Sequence, residues 1–113
     1  MVPPLAIVHH VGRKSGRRYR TPVAAFRTKN GFVIPMTYGR DVDWARNIAK
    51  AHGCELVQMG RRFKLRNPRV TDGDRAAPYL PPIVRPILLS AGLPGYVILD
   101  IATHAETQRG RAR

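Results

Sequence analysis

The residues best suited to chemistry lie early in the chain, in Gly12-Arg13-Lys14-Ser15-Gly16. Glycines at both ends allow backbone N–H groups to converge on one anion, and the hydroxyl and two cations between them add further donors. The run continues as Arg17-Arg18-Tyr19-Arg20-Thr21-Pro22, so the cationic character outlasts the turn. A phosphate-gripping Walker loop needs four residues between its first glycine and a Gly-Lys-Ser/Thr, which is not the order here, and no dinucleotide fingerprint is present. The plainer reading of a glycine-bounded basic turn is an exposed hairpin loop.

A second group surrounds the single tryptophan. In Tyr38-Gly39-Arg40-Asp41-Val42-Asp43-Trp44-Ala45-Arg46-Asn47, Trp44 stands beside a helix start, whose free N–H groups attract anions. Asn47 follows three residues on, on the same helical face. Trp44 is either a core anchor or the wall of a planar ligand site. Other chemistry has little support. His9 and His10 are adjacent, so a strand would point them to opposite faces and deny them a common metal. His52 and His104 are isolated, Ser15 lacks the setting of a nucleophile elbow, and Cys54 reads as a small core hydrophobe. Asp41 and Asp43 are explained by a helix start. If the protein is an enzyme, a cofactor carries its chemistry.

Charge points the same way. The 113 residues hold 20 Lys+Arg against 7 Asp+Glu, a formal charge of +13, in a chain that is 43% hydrophobic. This length supports one core, and the apolar content argues against disorder in the body of the chain. Such an excess favours polyanionic partners: nucleic acid, an anionic lipid surface or a small phosphorylated or carboxylated ligand. Five cations fall in residues 12–20, five more (Arg61, Arg62, Lys64, Arg66, Arg69) in residues 61–69, and three in the tail. Arginine dominates, and its planar fork suits phosphate and carboxylate. Eight aromatics are few for a nucleic-acid stacking platform. No apolar run is long enough to span a membrane, no signal peptide is evident, and a lone cysteine fits a reducing compartment. The expectation is a cytoplasmic protein, with peripheral contact with the inner membrane left open.

These residues must be positioned by strands. Leu5–Val11 reads as a first strand, and residues 20–28 as a second, with Pro22 near its start. Lys29-Asn30-Gly31 is a hairpin signal that should pair residues 20–28 with 31–37. A helix is expected over 41–52, with Asp41 as N-cap and Gly53 as stop. Residues 54–59 and 62–66 read as strands, the second with one basic face. Residues 79–91, interrupted by Pro81, Pro82 and Pro86, read as a broken helix, and 95–102 as a last strand. The sum is a mostly β protein with short helices, a small antiparallel barrel over residues 1–103, followed by a basic tail at 104–113 expected to be disordered.

Taken together, the Gly12–Gly16 loop, Arg20-Thr21-Pro22-Val23 and the Tyr38-Gly39…Asp43-Trp44…Asn47 stretch resemble the deazaflavin-dependent nitroreductase (deazaflavin-dependent oxidoreductase) family of actinobacteria. Order and spacing match across residues 5–70 and continue to 102. The resemblance implies a split β-barrel and coenzyme F420, a deazaflavin with a phosphate and an oligoglutamate tail, used in reduced form for hydride transfer to quinones, nitro compounds and other electrophiles. It implies that Arg13, Lys14, Ser15, Gly16, Arg17 and Arg18 grip the phosphate and tail. It places Pro35, Met36, Thr37 and Tyr38 along the deazaflavin, with Trp44 and Asn47 contacting it from the helix start. Split barrels of this size often form homodimers. The segment between Thr37 and Trp44 is shorter than in the nitroreductases, the chain begins almost on its first strand where members usually carry a helix, and where their C-terminal segment supplies several acceptor-pocket tyrosines this one offers only Tyr79 and Tyr96, unaligned with those, plus Leu88 and Leu89. Flavin mononucleotide in the same groove, or a non-catalytic basic barrel, are the alternatives.

Overall fold

The computed structural model describes residues 5–37, 39 and 41–102. The expected tail and Tyr38 therefore lie outside the described residues. Among the described residues seven strands form one antiparallel sheet: β1 (Leu5–Val11), β2 (Arg18–Ala24), β3 (Phe26–Arg27), β4 (Gly31–Pro35), β5 (Gly53–Gln58), β6 (Arg61–Thr71) and β7 (Tyr96–Ile101). Their order is β2-β1-β5-β6-β7-β4-β3. β2 and β3 thus occupy opposite edges of the sheet, yet a single residue, Ala25, joins them in the chain. A flat sheet cannot satisfy both conditions. The sheet must curl until its edges meet, which brings β2 close to β4 and makes a barrel with a split between them.

Ala25 is buried at this corner, and its carbonyl accepts from Gln58 Nε2 at 2.9 Å, so the break in the strand leaves no orphan acceptor. This corner overturns the expected long hairpin. Of residues 20–28 only Phe26 and Arg27 pair with β4, whereas residues 18–24 pair along their whole length with β1. The Lys29-Asn30-Gly31 turn is present, but Gly31 serves as the first residue of β4. A Cβ there would come 1.8 Å from the Leu99 carbonyl oxygen, so the glycine permits the close approach of β7.

The core follows the alternation of the strands. Val8, Phe32, Ile34, Leu56, Leu65 and Leu99 point inward, and Ile48 of helix α1 (Asp43–Ala51) fills the same cluster. The basic face expected of residues 62–66 is present: Arg62, Lys64 and Arg66 are exposed, while Leu65 is buried and Phe63 packs against the core. This strand runs further than expected, to Thr71. A bulge between Arg66 and Arg69 accommodates Pro68, with Asn67 in the left-handed region at φ 59°.

The ends of α1 also differ from expectation. Val42 is the N-cap and makes no side-chain capping bond, because Asp41 instead pairs with Arg46 Nη2 at 2.8 Å. That hydrogen bond and charge hold the Asp41 carboxyl below its ordinary range. His52, at φ 62°, takes the left-handed terminating position, and Gly53 is already in β5. The 79–91 segment is broken as its prolines require. A short helix α2 (Gly73–Ala76) leads into a 3₁₀ turn at Ala77–Tyr79, and α3 (Arg85–Ser90) starts with Pro86 in its first turn. This segment covers a second apolar cluster of Val33, Ala76, Leu80, Tyr96 and Ile98. No described helix is long and apolar enough to cross a membrane.

Candidate functional site

The split in the barrel is a two-limbed groove. One limb, about 340 Å³, lies between β2 and the end of β4 and is closed by the start of α1; its apolar walls include Pro22, Val23, Met36, Val42 and Trp44. The other, about 570 Å³, runs along the loop joining β1 to β2 and is lined by Arg13, Lys14, Ser15, Tyr19, Arg20 and Asn47, among others. Thr21 and Trp44 line both limbs and so mark their junction. Trp44 serves two purposes, packing partly against the core and presenting the rest of its ring to the groove.

The loop is a tight, internally bonded turn. Gly12 N–H donates to Arg17 O at 2.8 Å, Gly16 N–H to Gly12 O at 2.9 Å, and Arg17 N–H to Ser15 Oγ at 3.2 Å. Arg13 N–H donates to Asn47 Oδ1 at 3.1 Å. The nest anticipated from the five-residue loop is therefore narrower: among the described residues, the N–H groups of Lys14 and Ser15 remain free to meet an anion. A Cβ on Gly12 would fall 2.6 Å from Ser15 Oγ and 2.9 Å from Tyr19 Cε2, so a larger residue there would displace these two side chains.

Asn47 organises this limb from beneath. It is 4% exposed, and its Oδ1 accepts from both Arg13 N–H and Arg13 Nη1, the latter at 2.9 Å. Two donors on the oxygen fix the amide orientation, so Nδ2 donates to His10 Nδ1 at 3.0 Å. His10 must then carry its proton on Nε2 and donate it to Thr21 Oγ1 at 2.8 Å. The Thr21 hydroxyl is left with its own hydrogen to offer at the junction of the limbs. Burial pushes the His10 pKa below its ordinary value of 6.5, opposed by Asp43 and aided by His9, which favours the neutral ring that this chain of bonds requires. Tyr19 stacks on His10 with centroids 5.7 Å apart.

The residues expected at the site are thus distributed unequally. Arg13, Lys14, Ser15, Trp44 and Asn47 line the groove's cationic limb, and Pro35, Met36 and Thr37 its apolar limb. Arg13 is already engaged by Asn47 and by Asp43 at 3.4 Å, so it ties the loop to α1. Gly16, at φ 73°, shapes the turn, and Arg17 is exposed. Arg18 faces a different hollow on the other side of β2. Tyr79 is exposed and Tyr96 is buried, donating to Leu88 O at 3.3 Å; neither lines the groove. His10 and Thr21 were missed as site residues. The inward phase of His10 in β1, opposite Tyr19 of β2, was the available signal.

Cys54 lies outside the groove, and burial pushes its thiol up to about 12. Among the described residues no three metal-binding side chains gather.

Fold and groove together define a small split barrel whose open seam joins an apolar slot to a cationic cradle. A family model for F420H(2)-dependent quinone reductase matches residues 1–86, and the chain belongs to that family. Its fold is also similar to the 1.70 Å crystal structure of tagged HupZ from Group A Streptococcus, with a TM-score of 0.61 at 16% identity, covering 88% of this chain and 81% of that one. At that identity the likeness bears on the fold alone. No curated protein matches the chain.

Proposed function

We propose that the protein binds reduced coenzyme F420 in the two-limbed groove and serves its oxidation by a quinone. One observation carries this reading: the apolar slot and the cationic cradle meet at Thr21 and Trp44, matching a ligand with a flat ring at one end and anionic groups at the other. Met36, Val42 and Trp44 supply flat or compliant apolar surface for the ring. Lys14, Arg20 and the free N–H groups of Lys14 and Ser15 offer donors to the phosphate. Both volumes lie in the range of ordinary cofactor pockets. When bound, the coenzyme supplies a hydride. The chain's share is to orient the ring, exclude water from the slot and present the Thr21 hydroxyl as a hydrogen-bond donor at the junction. Hydride delivery needs no side-chain acid or base; the oxidised coenzyme gives up a proton and the reduced quinone takes one up, both by exchange with solvent.

Titration of the protein with reduced F420, followed by the coenzyme's absorbance, tests the reading. Wild type should bind, and Lys14→Ala should weaken binding about tenfold or more, since one charge-assisted hydrogen bond contributes about 1.5–3 kcal/mol. Absence of binding by wild type would sink the proposal. Tighter binding of flavin mononucleotide than of F420 would transfer the groove to that cofactor.

A further inference from the structure

The second cationic cluster of the sequence, residues 61–69, does not reach the groove. Its strand contributes to a second hollow of about 810 Å³, which adjoins the groove's cationic limb at His10, Tyr19 and Arg20. The pairing register explains how. Arg20 of β2 lies opposite His9 of β1, His9 opposite Glu55 of β5, and Glu55 opposite Lys64 of β6, so these four side chains form one row across four strands. Arg18 extends the wall on β2, and Arg62 and Arg66 extend it on β6. Two cationic rims therefore face each other across three strand spacings, roughly 14 Å. Between them lie His9 and Glu55 of the row, with Gly53 beside Glu55 on the same strand, and the last turn of α1 closes one end.

The charge in this trough is poorly compensated. Among the described residues its one acid, Glu55, is held by Arg62 Nη1 at 2.6 Å. Arg66 lies opposite Asp100 of β7 and helps to lower that carboxyl's pKa. Among the described residues Arg18, Arg20 and Lys64 have no carboxylate partner, and they share a concave surface in which their fields reinforce one another. Among the described residues Tyr19 is the only Phe, Tyr or Trp in the trough, and its ring is already stacked on His10, too little for stacking by a single-stranded nucleic acid; a concave surface does not fit a bilayer.

We propose that this trough is a second anion-binding site, which takes a small oligoanion with several phosphate or carboxylate groups along one chain. Arg18 and Arg20 grip it from β2 and Lys64 from β6. Arg20 borders the groove as well, whereas Arg18 and Lys64 line the trough and not the groove.

The test is calorimetric titration at low salt with inorganic tripolyphosphate and, separately, with triglutamate, which distinguishes phosphate from carboxylate ligands. Wild type should bind at least one of them. Lys64→Glu, an exposed position, should weaken that binding by roughly tenfold or more, because it replaces an attraction with a repulsion. Arg75→Glu, on α2, makes the same change in net charge outside the trough and should have little effect. F420 titration of the Lys64→Glu variant should match wild type, so that failure of the trough and failure of the groove are told apart. The proposal is overturned if neither probe binds, if Arg75→Glu weakens binding as much as Lys64→Glu, if Lys14→Ala alone abolishes it, or if a single-stranded oligonucleotide binds the trough in preference to both probes.

Discussion

At the scale of the residue, Asn47 shows how a side chain placed correctly by helical spacing can have a different duty from the expected one. It was expected on the groove face of α1 beside Trp44. It does line the groove, but its amide is consumed by Arg13 and His10. Removing it leaves both of these partners unsatisfied, so Asn47→Ala should lower stability by about 1–3 kcal/mol in a urea melt and loosen the loop. Asn47→Asp keeps an acceptor for Arg13 but offers His10 a carboxylate in place of a donor, which favours the charged ring. The consequence is a pH signature. His10 has a lowered pKa in the fold, so its contribution is complete above its ordinary 6.5 and is lost as pH falls through the folded value. Comparing urea midpoints at pH 7.5 and 5, wild type should lose more stability on acidification than Asn47→Asp; equal losses would dismiss the bond network. Cys54 gives a simpler forecast. With its thiol at about 12, it should resist iodoacetamide at pH 8 in the native protein and react promptly in urea.

Elements decide how the two glycine turns act. Gly31 lies where β4 meets β7, and a methyl there has no room against the Leu99 carbonyl. Gly31→Ala should therefore separate two central strands and cost about 2 kcal/mol or more in a denaturant titration. Gly12→Ala acts on a surface loop. It should leave the melt within about 1 kcal/mol of wild type but, by displacing Ser15 and Tyr19, weaken F420 binding in the titration above. Strand identities, α1 and the proline-broken segment were legible, because alternation, helical spacing and proline are local signals. The bounds that failed were set by distant contacts. Residues 20–28 looked continuous, yet they break at Ala25 because β1 and β4 compete for them from opposite sides of the barrel. Asp41 had the chemistry of an N-cap, but Arg46 took its carboxylate.

For the whole molecule, part of the cationic excess behind the +13 charge is gathered in two hollows. The groove holds Arg13, Lys14 and Arg20, and the trough holds Arg18, Arg62, Lys64 and Arg66, with Arg20 bordering both. If the groove takes its ligand through phosphate contacts, F420 affinity should fall as sodium chloride rises from low to physiological strength, and Lys14→Ala should flatten that dependence. An unchanged salt dependence in the variant would remove Lys14 from the contact.

By itself the sequence determined the class of fold, the loop from Gly12 to Gly16, the helix carrying Trp44 and Asn47, and an appetite for anions. Each of these is written in local composition or in a repeat of two or nearly four residues. Only the tertiary structure decided that Arg17 and Arg18 leave the groove, that His10 and Thr21 enter it, and that the second basic cluster lies outside it. Those outcomes depend on register. One step along a strand moves a side chain to the opposite face, and the register of β1 with β2 and β5 is settled by closure of the barrel through Ala25, a constraint that acts across the whole chain.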